Sequence, residues 1–357
     1  MYKIAFPQMG DYHIPAEYLL SRILNAKVIK APKITNKTIE IGTKYSPEFV
    51  CTPFKYTLGT LIECLDKGAE VLIQAGGGCR YGYYHELQEK ILKDLDYDFK
   101  MINFITEGKT KIKRIHKMLK EIDPKYSKIK AIYYGFITMK MVKYMDKIDD
   151  YIRENIGFEI NKGSFERLKN EMLIKFSTVK TYHELKVQYR NYKKRFESIK
   201  IYKPDNRLKI GIIGELYTIM EPFANYFLEK ELASHNIEVK RFTNVDYIFI
   251  RKRKIMKKYL KENKYIKYPC GADASDNVAR TEYLCKNGYD GIIHIKSAFC
   301  TPEIGAMPII NKVANIYNIP VIYFSFDSQV SETGIKTRLE AFYDMLEMRK
   351  NKWKSAF

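Results

Sequence analysis

Short apolar runs alternate with amphipathic segments along the first third of the chain. The period-two and continuous apolar runs predict strands at residues 2–7, 27–32, 69–75 and 99–106. The segments at residues 15–24, 53–68 and 83–95 carry apolar residues at helical spacing instead. Strands that alternate with helices in this way are typical of βαβ units, so we expect a parallel sheet flanked by helices.

The middle of the chain has a different pattern. From Ile112 to Lys200 apolar and charged positions alternate at helical spacing, with few glycines. The segment Tyr202–Arg207, "YKPDNR", breaks both periods and is the best candidate for a linker. A second βαβ series follows, with strands predicted at residues 208–215, 237–243, 290–297 and 319–327 and helices at residues 220–236, 276–288, 302–318 and 336–350.

These patterns predict an α/β protein with two Rossmann-like parallel-sheet domains joined by a helical middle segment. We expect an N-terminal α/β domain over residues 1–110, a helical connecting segment over 111–203 and a C-terminal α/β domain over 204–357. In open α/β sheets, ligands bind beyond the carboxyl ends of the strands. Candidate chemistry is therefore sought in the segments that follow the predicted strands.

The formal net charge of +20 raises the question of nucleic-acid binding. Lysine is spread along the whole chain, however, and the densest basic runs, Arg251–Lys264 and Tyr189–Phe196, lie in helix-like segments. We interpret them as solvated faces, and we do not expect nucleic-acid binding. An acidic protein partner or an anionic ligand is an alternative explanation of the charge.

The sequence also indicates a compartment. Its first residues lack the pattern of a signal peptide, and no apolar run approaches the length of roughly 20 residues that a membrane helix needs. We therefore expect a cytoplasmic protein with no membrane contact, in which thiols stay reduced. In that setting the six cysteines are metal ligands, nucleophiles or core residues rather than disulfides.

Three of the cysteines lie where ligands are expected. Cys79 and Cys300 follow predicted strands, and Cys51 directly precedes a predicted helix. A helix N-terminus favours the thiolate, which is the form that binds metal. Cys64 and Cys285 lie inside amphipathic helices and are interpreted as core residues. The spacing matches neither a zinc finger nor a ferredoxin, so from spacing alone a shared metal site is only one alternative.

Several segments resemble a known family. They are "PEFVCTPFKYTLG" and "GAEVLIQAGGGCRYGYYHELQ" in the N-terminal half, and "IGIIGELYTIMEPFANYFLEKEL", "GYDGIIHIKSAFCTPEIGAMPII" and "IPVIYFSFDSQVSETGIKTRLEAFYDML" in the C-terminal half. The chain thereby resembles the iron–sulfur subunits of the 2-hydroxyacyl-CoA dehydratases and their double-cubane-cluster relatives. The strongest similarity is to an uncharacterised branch described as related to CoA-enzyme activases. The similar segments cover most of the chain outside the central helices.

The resemblance implies a cofactor and its ligands. Cys51, Cys79 and Cys300 would hold a 4Fe-4S cluster and leave one iron without a cysteine. A double cubane would need a further thiolate, for which Cys270 is the candidate in the same half as Cys300. Relatives carry glycine and histidine around the segment Cys270–Ser275, so Cys270 is either a ligand or a substitution.

The resemblance also implies partners and a reaction. A separate ATP-dependent activase would donate single low-potential electrons, in an anaerobic setting. The substrate would be an acyl-CoA or another small molecule that undergoes reductive or radical chemistry, and the oligomer would be a homodimer or a heterodimer. The alternatives are a non-catalytic electron-transfer or accessory subunit of an activase system, and a ligand-binding protein without a cluster.

Residues beside the cysteines complete the candidate site. Gly76, Gly77 and Gly78 would let the backbone approach a cluster and donate N–H groups to it, or would form only a tight turn. The loop lacks the Lys-Ser/Thr ending of a nucleotide-binding P-loop, so it is not expected to bind ATP. Glu303 and Glu215 are the candidate catalytic residues. Glu303 is alternatively a carboxylate that stabilises the start of a helix.

Overall fold

The computed structural model describes residues 1–106, 109–110, 112–328 and 330–355. Its strands are β1 (Lys3–Ala5), β2 (Lys27–Val28), β3 (Val71–Gln74), β4 (Lys100–Asn103), β5 (Ile105–Thr106), β6 (Lys109–Thr110), β7 (Lys209–Gly214), β8 (Glu238–Arg241), β9 (Gly291–Ser297) and β10 (Val321–Phe326). Its α-helices are α1 (His13–Ile23), α2 (Asn36–Tyr45), α3 (Thr52–Asp66), α4 (Tyr84–Asp94), α5 (Ile112–Ile122), α6 (Lys128–Asn155), α7 (Ser164–Thr178), α8 (Tyr182–Glu197), α9 (Leu216–Met220), α10 (Leu228–Ser234), α11 (Lys252–Glu262), α12 (Ala274–Lys286), α13 (Thr301–Ile316) and α14 (Glu332–Ser355).

By its internal contacts the chain divides into two units. Unit 1 comprises Met1–Val142 and Lys175–Leu185, and unit 2 comprises Lys143–Ile174 and Lys186–Phe357. The domain limits at residues 110 and 203 stay predictions, and residue 111, where the predicted connecting segment begins, lies outside the described residues. Each unit is described by itself below.

The sheet of unit 1 has the strand order β2-β1-β3-β4, and its neighbouring strands are parallel. Successive residues of β3 enter different cores, as the pleat of a strand requires. Leu72 packs in one hydrophobic cluster with Leu58 and Leu61 of α3. Val71 and Ile73 pack in the other, which includes residues of α1 and α5. The sheet is therefore covered on both faces, as is usual for parallel sheets.

Helix α2 was not predicted, and two glycines explain its contact with α3. A Cβ added to Gly42 would lie 1.8 Å from the Lys55 carbonyl oxygen, and one added to Gly59 would lie 2.0 Å from the Thr38 carbonyl oxygen. Only glycine permits the two backbones to approach so closely. Thr35, the residue before α2, forms a capping box with Thr38.

The sheet of unit 2 has the strand order β10-β9-β7-β8, again with parallel neighbours. Every residue of β9 is buried, which fits its position between two other strands. Helices α12 and α13 pack against this sheet through an apolar cluster that contains Val278, Leu284, Ile310 and Val313.

The single helix predicted over residues 220–236 is wrong. The structure has a 3-10 turn at Pro222–Asn225, and α10 begins only at Leu228. Between them Tyr226 and Phe227 have φ values of 53° and 56°, a left-handed conformation that ends a helix. The Asn225 side chain stabilises this break, because its Oδ1 accepts a hydrogen bond from the Leu228 N–H and its amide donates to the Thr218 carbonyl.

The predicted fold class is confirmed. The chain carries two four-stranded parallel sheets with helices around them, consistent with two Rossmann-like domains. None of the helices that the structure describes combines the length and apolarity needed to cross a bilayer.

Candidate functional site

In unit 2 the strand order reverses direction between β7 and β9. From β7 the chain moves to β8 on one side, and then returns to place β9 on the other side. A crevice forms at the carboxyl ends of two strands where the order switches in this way, and ligands bind there in open α/β sheets. Glu215 directly follows β7, and Cys300 follows β9 by three residues.

The turn after β7 depends on Gly214. Its φ is +139°, and an added Cβ would lie 1.7 Å from the Ile295 carbonyl oxygen of β9. The same oxygen accepts a hydrogen bond of 2.9 Å from the Glu215 N–H. Gly214 therefore lets the chain turn against the neighbouring strand, and the turn fixes Glu215 beside β9.

Glu215 is held as the N-cap residue of α9. Its carboxylate accepts hydrogen bonds from the Tyr217 N–H at 2.7 Å, the Thr218 N–H at 3.1 Å and the Thr218 hydroxyl at 2.5 Å. Burial nevertheless raises its pKa from 4.5 to about 7, and the negative charge of Asp273 adds to the increase, while the three hydrogen bonds oppose it. A carboxyl group with this pKa can take up and release a proton near neutral pH.

Cys300 is the N-cap residue of α13, and its side chain is 7% exposed. Lys296, at the end of β9, is also buried, and its Nζ donates to the Ala298 carbonyl at 3.3 Å. Burial lowers the pKa of Lys296, and the negative charges of Cys300 and Glu303 act in the opposite direction. Burial thus disfavours the charged form of Lys296, and the negative charges of Cys300 and Glu303 favour it.

Glu303 lies in the first turn of α13, as predicted, but it is 1% exposed. Its carboxylate accepts hydrogen bonds of 2.9 Å from the Asn277 amide and contacts His294 Nε2 at 2.8 Å. The Asn277 amide also donates to the Gly214 carbonyl at 3.0 Å. This cluster connects the turn after β7 with the helix that begins after Cys300. Sequence reasoning missed Asn277, since no spacing signal distinguishes a buried amide.

In unit 1 the glycine segment leads from β3 to Cys79. Gly76 has a φ of +74°, and a Cβ on Gly77 would lie 3.0 Å from the Tyr81 Cβ. A Cβ on Gly78, by contrast, would meet no described atom within 4 Å. Cys79 is exposed and is the N-cap residue of the 3-10 helix Arg80–Tyr83, which leads into α4. The backbone beside this thiol is therefore open.

Cys51 is the N-cap residue of α3 and is half-buried. Because α3 leads directly into β3, its N-terminus lies at the carboxyl end of that strand. A buried amide network fixes this arrangement. Gln74, the last residue of β3, donates to Gln88 of α4 at 2.8 Å, and Gln88 donates to Thr57 in α3 at 2.7 Å. Cys51 and Cys79 thus occupy the same edge of the unit 1 sheet.

The remaining cysteines differ from these three. Burial raises the pKa of Cys64 to about 12 and that of Cys285 to about 11, so both thiols stay protonated at neutral pH. Cys270 lies in the loop before α12, where its N–H donates to the Ser275 hydroxyl at 2.9 Å. The next residue, Gly271, lies beside Pro302 at the start of α13.

All six cysteines are thiols rather than disulfides. Within the part of the chain that the structure describes, no three His, Cys, Asp or Glu side chains are grouped so that they could hold one metal ion. The donor chemistry at each thiol still fits an iron–sulfur cluster, because Cys51, Cys79 and Cys300 each begin a helix at a strand-end edge. Their role as ligands stays a prediction.

Fold and site together define an α/β protein whose thiols and titratable carboxylate lie at the carboxyl edges of two parallel sheets. A family model described as 2-hydroxyglutaryl-CoA dehydratase, D-component, matches residues 100–346. The match spans more than half of the chain, so the chain belongs to this family, and the predicted resemblance to 2-hydroxyacyl-CoA dehydratases is confirmed. The matched region contains Glu215, Glu303 and Cys300 and begins after Cys51 and Cys79. No curated protein matches the chain.

Proposed function

We propose that this protein is the iron–sulfur component of a 2-hydroxyacyl-CoA dehydratase-type system. It would accept low-potential electrons from a separate ATP-dependent activase and use them for reductive or radical chemistry on an acyl-CoA or another small molecule. Membership of the dehydratase family supports the component role, and the family is known for iron–sulfur clusters. The observation that best supports the proposal is that Glu215 and Cys300 follow β7 and β9, the two strands between which the order of the unit 2 sheet reverses.

Cys51, Cys79 and Cys300 are the proposed thiolate ligands. Each is the N-cap residue that directly precedes a helix, where backbone N–H groups and the helix dipole favour the thiolate. Lys296 precedes Cys300 by four residues, and the negative charge of Cys300 favours its protonated form, against the effect of burial. The open backbone at Gly78 supports the proposal that Gly76–Gly78 give a bulky cofactor clearance.

When bound, a 4Fe-4S cluster supplies single-electron reduction at low potential. The proposed task of Glu215 is proton transfer at its carboxylate oxygens, since its pKa of about 7 leaves both protonation states populated at neutral pH. Three donors from Tyr217 and Thr218 hold the carboxylate in one orientation. Glu303 is a less accessible candidate, because Asn277 and His294 already engage it, and its proposed role is to position the start of α13.

Anaerobic purification followed by iron and sulfide analysis tests the ligands. We expect a brown protein with about four irons per chain, and about eight if the cluster is a double cubane. Cys51→Ser, Cys79→Ser and Cys300→Ser should each lose iron. Cys285→Ser is the matched control, because that thiol stays protonated and should leave the iron content unchanged. A colourless wild-type protein after anaerobic reconstitution would contradict the proposal.

A second experiment separates a catalytic component from an electron carrier. The reconstituted protein is mixed with a purified activase, ATP and a 2-hydroxyacyl-CoA, and both cluster reduction and substrate turnover are followed. Reduction with turnover supports the proposed function. Reduction without turnover of any acyl-CoA supports the alternative, a non-catalytic electron-transfer or accessory subunit. Absence of reduction would contradict both.

A further inference from the structure

Unit 2 contains a cavity that none of the proposed chemistry uses. It has a volume of about 650 Å³ and lies between β8, α11 and α12. This volume is in the range of about 300–1,000 Å³ that is typical of small-molecule sites. Glu215, Cys300 and Glu303 do not line it. The cavity is therefore a candidate for a second binding site in this unit.

Aromatic and apolar side chains form much of the wall. Phe242 and Tyr283 meet edge to face with ring centroids 5.4 Å apart, and Tyr247, Ile255 and Met256 add further apolar surface. Such walls favour a ligand with an apolar or aromatic body. They would add little to the binding of a small hydrated anion.

Arg280 of α12 supplies the charge. Its side chain is 5% exposed, and its guanidinium lies over the Tyr247 ring at 4.6 Å and near the Phe242 ring at 5.7 Å. Nη1 donates to the Thr243 hydroxyl at 2.6 Å and to the Asn277 side-chain oxygen at 3.2 Å, and both acceptors are neutral. Nη2 is buried and has no hydrogen-bond acceptor among the described residues.

Arg280 differs in this respect from the other cations that line the cavity. Those cations pair with carboxylates at 2.6–2.9 Å: Lys240 with Glu154, Arg241 with Glu229, Arg251 with Asp246 and Lys286 with Glu282. Asp276, one helical turn before Arg280 on α12, forms an ion pair with Lys252 at 2.9 Å, and the charge of Arg280 also acts on it. Among the described residues Arg280 is the lining cation without a carboxylate in ion-pair contact, so it keeps more capacity to bind an anion than the other four.

The charged side chains that line the cavity indicate the sign and the number of charges that a ligand would carry. Asp150, Glu262, Asp276 and Glu282 also line the cavity, and three of them form ion pairs: Asp150 with Arg153, Asp276 with Lys252 and Glu282 with Lys286. Arg280 therefore offers a ligand one positive charge, which matches a monoanion better than a dianion. A guanidinium binds a carboxylate through short, charge-assisted hydrogen bonds. We propose that this cavity binds an organic monocarboxylate with an apolar or aromatic body, and that Arg280 anchors the carboxylate. This assignment is independent of the proposed cluster.

Ligand-observed NMR on the full chain tests the site with benzoate and its uncharged counterpart benzamide. We expect benzoate to bind at least about tenfold more tightly than benzamide, since the two share a ring and differ in the group that Arg280 would hold. Arg280→Met should weaken benzoate binding at least about tenfold and leave benzamide binding unchanged. Lys286→Gln, a change at a paired cation of the same cavity, should alter benzoate binding by less than about twofold.

Several outcomes would overturn the proposal. The first three are no benzoate binding to the wild type, equal binding of benzoate and benzamide, and unchanged benzoate binding by a folded Arg280→Met variant. Competition by inorganic phosphate as effective as that by benzoate would also overturn it, because it would indicate a general anion site. If Arg280→Met does not fold, Tyr283→Ala replaces it, since this wall residue is 48% exposed. Its loss should weaken benzoate binding, and unchanged binding would count against the site.

Discussion

The raised pKa of Glu215 has a consequence for stability that can be measured without any substrate. In the unfolded chain this carboxyl group ionises near 4.5, and in the folded protein it ionises near 7. The contribution of the group to folding is therefore fully present below pH 4.5 and is lost as the pH rises through 7. Glu215→Gln removes the titration and keeps an oxygen that can accept a capping hydrogen bond.

The size of the effect follows from the two pKa values. A pKa raised from 4.5 to about 7 corresponds to about 3 kcal/mol at high pH, of which about 2.5 kcal/mol develops between pH 5 and pH 8. The variant loses part of the cap, which costs about 1 kcal/mol at every pH. At pH 5 the wild type has already lost about 0.8 kcal/mol, so we expect Glu215→Gln to be about as stable as the wild type at pH 5 and about 2 kcal/mol more stable at pH 8.

Urea unfolding of anaerobically purified wild type and variant at both pH values measures this difference. Hydrogen exchange of the β7 and α9 amides provides a local readout for unit 2, because a chain with two units need not unfold in one step. Glu340→Gln, an exposed carboxylate of α14, controls for the general effect of removing one charge. If the stability difference between Glu215→Gln and the wild type changes by less than about 0.5 kcal/mol from pH 5 to pH 8, the reasoning about burial is refuted.

Three further predictions concern packing, and urea unfolding measures each. Gly214→Ala should destabilise the protein by at least about 3 kcal/mol, because the added Cβ would overlap a β9 carbonyl and the φ of Gly214 is +139°. Its control is Gly305→Ala on α13, where a Cβ meets open space; this change should be neutral or stabilise the protein by up to about 1 kcal/mol. Gly59→Ala should cost about 2 kcal/mol or more by separating α2 from α3, whereas Gly135→Ala should not destabilise α6. Asn277→Ala should cost about 1–3 kcal/mol, because the buried carboxylate of α13 loses its amide donor. Equal effects of a glycine change and its control would contradict the packing argument.

The sequence pattern predicted the alternation of strands and helices because burial on both faces of a parallel sheet leaves near-continuous apolar runs. It did not predict α2, which packs through Gly42 and carries little apolar signal of its own. It also failed at Tyr226 and Phe227, where the side-chain hydrogen bonds of Asn225 override helical spacing. Local periodicity registers neither effect, because the first depends on close contact with α3 and the second on the side-chain hydrogen bonds of a single asparagine.

The candidate site was predictable to a similar extent. Helix starts after strands are visible in sequence, and the structure has Cys51, Cys79 and Cys300 at such starts. The partners of Glu303 were not predictable, because a buried amide and a buried histidine meet it from two other elements. The pKa of Glu215 likewise depends on burial, which one sequence does not report.

The carboxyl edges of the two sheets should respond differently to a nearby change of charge. At the edge of unit 1, the amide network of Gln74, Gln88 and Thr57 determines this response. It holds the thiol-bearing edge of unit 1 with groups that neither gain nor lose protons over the physiological pH range. At the edge of unit 2, Glu215 and Lys296 both titrate away from their ordinary values. A change of charge near the edge of unit 1 would leave the protonation of the amide network unchanged. The same change near the edge of unit 2 would cause uptake or release of protons by Glu215 and Lys296. Uptake and release of protons would thus respond to charge at one edge and not at the other.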